Sequence, residues 1–232
     1  MLTCGNHKLG RRRIWGFSLP SGPGGTCAGM TAACAGDCYA VAFARYRPAA
    51  AAAYRRNLAL ARRRDFVRRV RAFLVAHAVR IVRVHVAGDF FAACYARKWL
   101  RIMRRSPRVR FYFYTRSWRV PAIKTVIDRM AGLPNCRAWY SADRDTGVPA
   151  AVPPRVRVAW LMTELADLPP PGTDLVFRVR RLRPTAPIFG ACVCPAEDGV
   201  PRARPVTCER CGICWRPNPD GRFPLTVVEP GP

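Results

Sequence analysis

Apolar residues fall into two periods along the chain. Between residues 49 and 77, Leu58, Phe66, Val70, Phe73 and Leu74 recur at helical intervals in an Ala- and Arg-rich background, which predicts one long helix. Downstream the period switches repeatedly. Strands are expected at Arg80–Val86, Val109–Thr115, Arg137–Ser141, Arg155–Leu161 and Leu175–Val179, with helices at Cys94–Arg105 and Ala122–Gly132. A shorter strand is expected earlier, at Gly16–Pro20, followed by the loop Ser21–Gly25. Strands alternating with helices imply right-handed βαβ units and a mostly parallel sheet. The fold class expected is α/β, either a partial (β/α) barrel or an open parallel sheet. The later connections are short and Pro-rich, so their helices should shrink or vanish.

The pattern breaks near residue 184. Beyond it Pro, Gly and Cys dominate and no period is visible. The expected organisation is an α/β domain over 1–183 and a small Cys-rich metal-binding segment over 184–232, with 228–232 a loose tail. A segment so poor in apolar periodicity needs a staple, and metal is the one expected.

Eleven cysteines are clustered rather than scattered. Near the end stand Cys192-x-Cys194-Pro195 and, thirteen residues intervening after Cys194, Cys208-x-x-Cys211-x-x-Cys214-Trp215. Two-residue gaps let successive thiolates turn toward one centre, and a triplet with a remote Cys-Pro is ferredoxin-type [4Fe–4S] spacing. Cys194, Cys208, Cys211 and Cys214 are the expected ligands, with Cys192 as substitute; zinc is the alternative metal. A second group is Cys27, Cys34 and Cys38, separated by six and three residues. Three thiolates can hold a [4Fe–4S] cluster with one open iron. Zinc, a fourth ligand from Cys4, and plain core cysteines are the other readings.

The second group follows the first apparent strand, where β/α folds build their sites. Polar residues after the later strands should reach the same place: His85, Gly88 and Asp89; Thr115 and Ser117; Ser141 and Asp143. His85, Asp89 and Asp143 are the catalytic candidates. Gly88, Asp89, Thr115, Ser117 and Ser141 are the cofactor-binding candidates. Each has a plainer reading: His85 as a core histidine, Asp89 as a helix cap, Asp143 paired with Arg144 in a turn. Trp118, Trp139 and Trp160 read as core aromatics before they read as base-stacking platforms.

Charge adds a partner. The net charge is +26, from 40 Lys and Arg against 14 Asp and Glu. Nucleic acid is the usual partner of such a field, with Arg11–Arg13, Arg62–Arg64, Arg68 and Arg69 as candidate contacts. No run of about 18 apolar residues predicts a membrane span, and the basic start lacks an apolar signal core. A cytoplasmic protein is expected.

Several motifs together resemble the phage gene product 88-like family. They are Gly5-Asn6-x-Lys8-Leu9, Phe17-Ser18-Leu19-Pro20, Thr26-Cys27, Cys34, Cys38-Tyr39-Ala40 and Arg56-Asn57-x-x-Leu60. Val84-His85-x-x-Gly88-Asp89-Phe90, Phe111-Tyr112-x-Tyr114-Thr115-x-Ser117, Cys194-Pro195 and Cys208-x-x-Cys211-x-x-Cys214-Trp215 continue the match. The chain is also distantly similar to radical S-adenosylmethionine (SAM)-like phage proteins with Cys-Tyr-Ala after the last cysteine. That resemblance implies a radical SAM-like fold, Cys27, Cys34 and Cys38 around a first [4Fe–4S] cluster, and SAM near Gly88-Asp89. The function expected is radical chemistry on nucleic acid or a nucleoside. The alternative is a non-catalytic DNA- or RNA-binding protein stabilised by zinc or iron–sulfur.

Overall fold

The structure, a computed structural model, describes residues 1–183, 192–198, 200 and 202–216. Seven strands form one mixed sheet: β1 (Thr3–Asn6), β2 (Gly10–Phe17), β3 (Ile81–Val84), β4 (Arg110–Thr115), β5 (Cys136–Ala142), β6 (Val156–Met162) and β7 (Leu175–Arg178). They lie in sequential order β1 to β7. β1 is antiparallel to β2, and every later pair is parallel. Among the described residues the sheet does not close on itself. Val193 bridges Val176 in parallel at the far edge. The expected strand at Gly16–Pro20 is the end of β2, and the β1–β2 hairpin before it went unread because its text is mostly polar and basic.

Sequential parallel strands with right-handed crossovers place all connecting helices on one face. That face holds the main core. Phe17, Val82, Val84, Phe111, Phe113, Ala138 and Tyr140 meet α4 (Phe66–Ala76), α5 (Ala93–Arg104) and α6 (Pro121–Ala131) through Phe66, Val70, Leu74, Trp99, Ile102, Ile127 and Met130. Loops 143–155 and 163–174 carry no helix, as their proline content predicted.

The single helix expected over 49–77 is two, α3 (Pro48–Arg62) and α4, broken where Arg63 is extended. Lys98 is the physical cause. Its ammonium donates to the carbonyls of Ala61, Arg62 and Arg63, at 2.7, 3.2 and 2.8 Å, terminating α3. Asp65 then gathers Arg63 and Arg69 at the start of α4.

The other sheet face is covered by the C-terminal cysteine segment. Strand alternation turns Ile14, Ile81, Tyr112, Tyr114, Trp139, Ala159, Leu175 and Phe177 to that side. Cys194, Cys208, Cys214 and Trp215 pack against them. Glu209 pins the segment to β2 by accepting from the backbone N–H groups of Arg12 and Arg13. Its side chain occupies the space a Cβ on Gly10 would need, 2.3 Å from the Glu209 carboxyl carbon. Burial alone would raise the Glu209 carboxyl, but those N–H groups and the Arg13 charge hold it below the usual range. Lys8 pairs with Glu197, and Cys208 N–H donates to Lys8 O at 2.9 Å. The domain boundary expected at 183/184 and the tail at 228–232 lie outside the described residues.

Candidate metal and cofactor centre

The loop after β2 carries Cys27, then α1 (Ala32–Gly36) with Cys34, then Cys38 as the residue before α2 (Tyr39–Tyr46). Thr31 caps α1 by accepting from Cys34 N–H at 3.1 Å. The same hydroxyl donates to Asp143 at 2.6 Å. Asp145 accepts from Ala33 N–H at 2.8 Å. The cysteine loop is therefore laced to the end of β5. Tyr39 OH donates to Val86 O, fastening the start of α2 to the end of β3. The three half-buried thiols are electrostatic neighbours, with Asp89, Asp143 and Arg116 close by. Burial pushes the Cys27 thiol up to about 12; burial also raises Cys34, opposed by Arg116. A bound cation reverses that preference, because thiolates are the form that ligates metal.

Asp89 organises the floor. Its Oδ1 accepts from Phe90 N–H at 2.7 Å and from the Thr115 hydroxyl at 2.7 Å. Its Oδ2 accepts from the N–H groups of Arg116 and Ser117 at 2.8 and 3.2 Å. Both oxygens are engaged, so this carboxylate ties β3 to β4. Burial raises its pKa, and these hydrogen bonds oppose the rise. Its own N–H reaches the Thr26 hydroxyl at 3.2 Å. Gly88 has φ +78, and an added Cβ would lie 2.5 Å from the Thr26 hydroxyl and 2.7 Å from Leu19. The close approach this glycine permits is to the protein's own cysteine loop.

Asp143 pairs with Arg116, not with the adjacent Arg144. The Arg116 guanidinium stands 2.7 Å from its Oδ2 with both partners buried. Arg144 turns to Glu164 and Asp167 instead. Ser117 is buried, and its hydroxyl has no hydrogen-bond partner among the described residues. The Ser141 carbonyl accepts from Trp118 Nε1 at 2.9 Å.

His85 lies apart from this group, in the aromatic core. Its Nε2 meets Tyr95 OH at 2.9 Å, and Phe90 packs edge-on at 4.6 Å. Tyr95 OH also accepts from Trp99 Nε1, leaving its proton for His85. Burial lowers the His85 pKa to about 3, so the ring is neutral at neutral pH. Its backbone is left-handed, φ +64. Trp139 and Trp160 are buried and Trp118 packs on Tyr140, which makes all three core aromatics.

Thr26, Thr31 and Arg116 are the parts that sequence reasoning undervalued. The signal for Thr31 was a capping residue two turns of text before Cys38; the signal for Arg116 was its place between two candidates, Thr115 and Ser117.

At the other centre, Cys194, Cys208, Cys211 and Cys214 line one small cavity with Leu175, Val206 and Ile213. Cys208 and Cys211 begin and end α7 (Cys208–Cys211), and Gly212 follows with φ +79, turning the chain so that Cys214 comes inward. Cys194 arrives from the sheet edge, its N–H donating to Val176 O at 2.9 Å. The Trp139 indole donates to Cys214 O at 3.1 Å. Burial pushes Cys194 up to about 12 and raises Cys214 too. Lys8 and Arg83 supply positive charge beside these thiols. The void is ≈ 10 Å³, about one water. Among the described residues no three His, Cys, Asp or Glu side chains already form a single-ion site. No described helix is long and apolar enough to cross a membrane.

These features define a mixed α/β protein whose described residues form a seven-stranded, mostly parallel sheet, with one cysteine group at the strand ends and another packed on the sheet face. The chain belongs to the gene product 88 family, whose sequence profile, described as "Gene product 88", matches residues 1–217. It is 34% identical over 140 residues to the "Gene 88 protein" of Mycobacterium phage L5, and 32% identical over 140 residues to that of Mycobacterium phage D29. Each match covers 56% of this chain and 57% of the relative's length. No solved structure matches.

Proposed function

We propose that this chain is an iron–sulfur protein, radical SAM-like in plan, that acts on nucleic acid or a nucleoside. The observation that carries the metal reading is the gathering of Cys194, Cys208, Cys211 and Cys214 around one cavity, although thirteen residues separate the first from the rest. Four thiols in ferredoxin-type spacing, with Lys8 and Arg83 beside them, suit a group that is anionic when its thiolates are counted. Cys192 lies on the same sheet face and is the substitute ligand.

The reading of an enzyme rests on the other centre. Cys27, Cys34 and Cys38 stand where strands β2 to β5 end, the side on which α/β sheets build sites. A [4Fe–4S] cluster on three thiolates leaves one iron without a protein ligand, the chemistry on which radical SAM enzymes rely. This chain's own residues hold the loop in place: Asp89 joins β3 to β4, Arg116 and Thr31 hold Asp143, and Tyr39 anchors α2. Ser117 and Ser141 are the candidates for a ligand beside them.

A second reading has its own support. A void of ≈ 10 Å³ admits a single ion more readily than a four-iron cube, so zinc would make the C-terminal centre a structural staple.

The test is metal and sulfide analysis of anaerobically purified protein, with optical and EPR spectra before and after adding SAM. About eight irons per chain, two four-iron clusters, and a SAM-dependent spectral change support the proposal. About four irons that vanish with Cys208→Ser and ignore SAM leave the C-terminal cluster alone. Zinc without iron or sulfide overturns the iron–sulfur reading.

A further inference from the structure

The helical face, opposite the C-terminal cysteine segment, carries a second feature. An open groove of ≈ 780 Å³ runs along α4 to the end of α5. It is lined by Arg64, Arg68, Arg71 and Arg105 together with Val67, Ala72, Val75 and Ala76. Among the described residues Asp65 is the sole carboxylate in the lining, and it is already committed to Arg63 at 2.8 Å and Arg69 at 2.7 Å. Those two guanidinium groups hold its carboxyl below the usual range. Arg64, Arg71 and Arg105 have no ion-pair partner among the described residues. The Arg71 Nε is buried without a hydrogen-bond partner among them. Guanidinium groups that line an open groove without a free carboxylate against them are arranged for an anion.

We propose that this groove binds the phosphate backbone of duplex nucleic acid. Arg68 and Arg71, three residues apart in α4, share one side of that helix, and Arg64 stands in the turn just before it. Guanidinium forks match phosphate oxygens. Among the described residues the lining contains no aromatic ring. Single-strand sites use aromatic platforms for the bases, and protein hot spots favour aromatic anchors, so the duplex backbone is the better fit. Binding of this kind is independent of sequence and of which metal the cysteines hold.

The experiment is fluorescence anisotropy of a labelled 20-base-pair duplex across a KCl series. It compares the native protein with R64S/R71S/R105S and with a charge-matched control on exposed arginines in and between α2 and α3, R45S/R47S/R55S. The slope of log K against log[KCl] should fall by about three for the groove variant and by much less for the control. A double variant, R64S/R105S, which leaves the partly buried Arg71 in place, should lower the slope by about two if the triple variant unfolds early. Equal losses in the groove and control variants overturn the proposal, because net charge alone would then explain binding. So does tighter binding of a 20-base single strand that the groove variant keeps. Loss of binding to phosphatidylserine vesicles by the groove variant, with duplex affinity unchanged, would assign the groove to an anionic lipid surface instead.

Discussion

Removing the Asp89 carboxylate separates an organising role from a catalytic one. Asp89→Ala would strand the N–H groups of Phe90 and Arg116; Ser117 N–H and the Thr115 hydroxyl retain each other at 3.0 Å. A buried donor left unpaired costs about 1–3 kcal/mol, and loss of the Thr115 and Ser117 bonds adds to it, so the sum is about 4 kcal/mol. Asp89→Asn keeps one acceptor oxygen and no longer buries a charge, so about 2 kcal/mol is expected. For a chain of this size 1 kcal/mol moves Tm by about 2–4 °C, giving falls of about 8–16 °C for Ala and about 4–8 °C for Asn. Thermal and urea unfolding followed by tryptophan fluorescence measure both. The reasoning is refuted if both variants unfold within about 0.5 kcal/mol of the native protein. Unchanged stability with loss of a SAM-dependent signal would make Asp89 a ligand-contacting residue.

Other consequences follow from the same geometry. His85 has a folded pKa of about 3 against about 6.5 when unfolded, so between those values the unfolded chain binds the extra proton and stability falls as pH drops, by up to about 1.4 kcal/mol per unit. His85→Asn, which tolerates the left-handed backbone, should lose less stability than the native protein between pH 6.5 and 5.0; parallel curves would show that His85 is not buried neutral. Glu209→Ala should free the cysteine segment from β2, giving earlier trypsin cleavage and faster amide exchange over 202–216 while β3 to β5 stay protected; an unchanged pattern would show that Glu209 is not the anchor. The lowered Glu209 pKa gives stability that is present above its unfolded value near 4.5 and lost as pH falls further, so in the native chain the protection of 202–216 against amide exchange, relative to β3 to β5, should drop below that pH. Gly88→Ala should cost about 2–4 kcal/mol, because its Cβ would strike Thr26 and Leu19 at positive φ; a neutral effect in thermal unfolding would contradict the packing of the cysteine loop on β3.

Much of the fold was legible because burial writes a period into the text. The strands β3 to β7 and the helices α5 and α6 lie within one or two residues of their expected bounds. Each buries one face or both, and that requirement shows as repetition. The hairpin β1–β2 was missed because Arg11–Arg13 project from it to solvent and break the apolar run. The break between α3 and α4 was missed because Lys98, thirty-five residues from Arg63, supplies the cap. Local propensity carries no trace of a donor from so far along the chain.

The candidate site divides along the same line. Sequence alone determined which residues are chemically able to act: the thiols, their spacing, and the polar residues that follow each strand. It also determined the alternation of strand and helix, since both depend on neighbours a few residues apart. Tertiary structure decided what those residues face. It turned His85 into the aromatic core, engaged both oxygens of Asp89 in backbone N–H and hydroxyl bonds, and paired Asp143 with Arg116 rather than with its neighbour Arg144. It laid the C-terminal cysteines on the sheet face opposite the helices, held there by Glu209. The physical reason is that period and spacing are local properties of a chain, whereas burial, ion pairing and the direction of a donor depend on residues brought together only when the sheet forms.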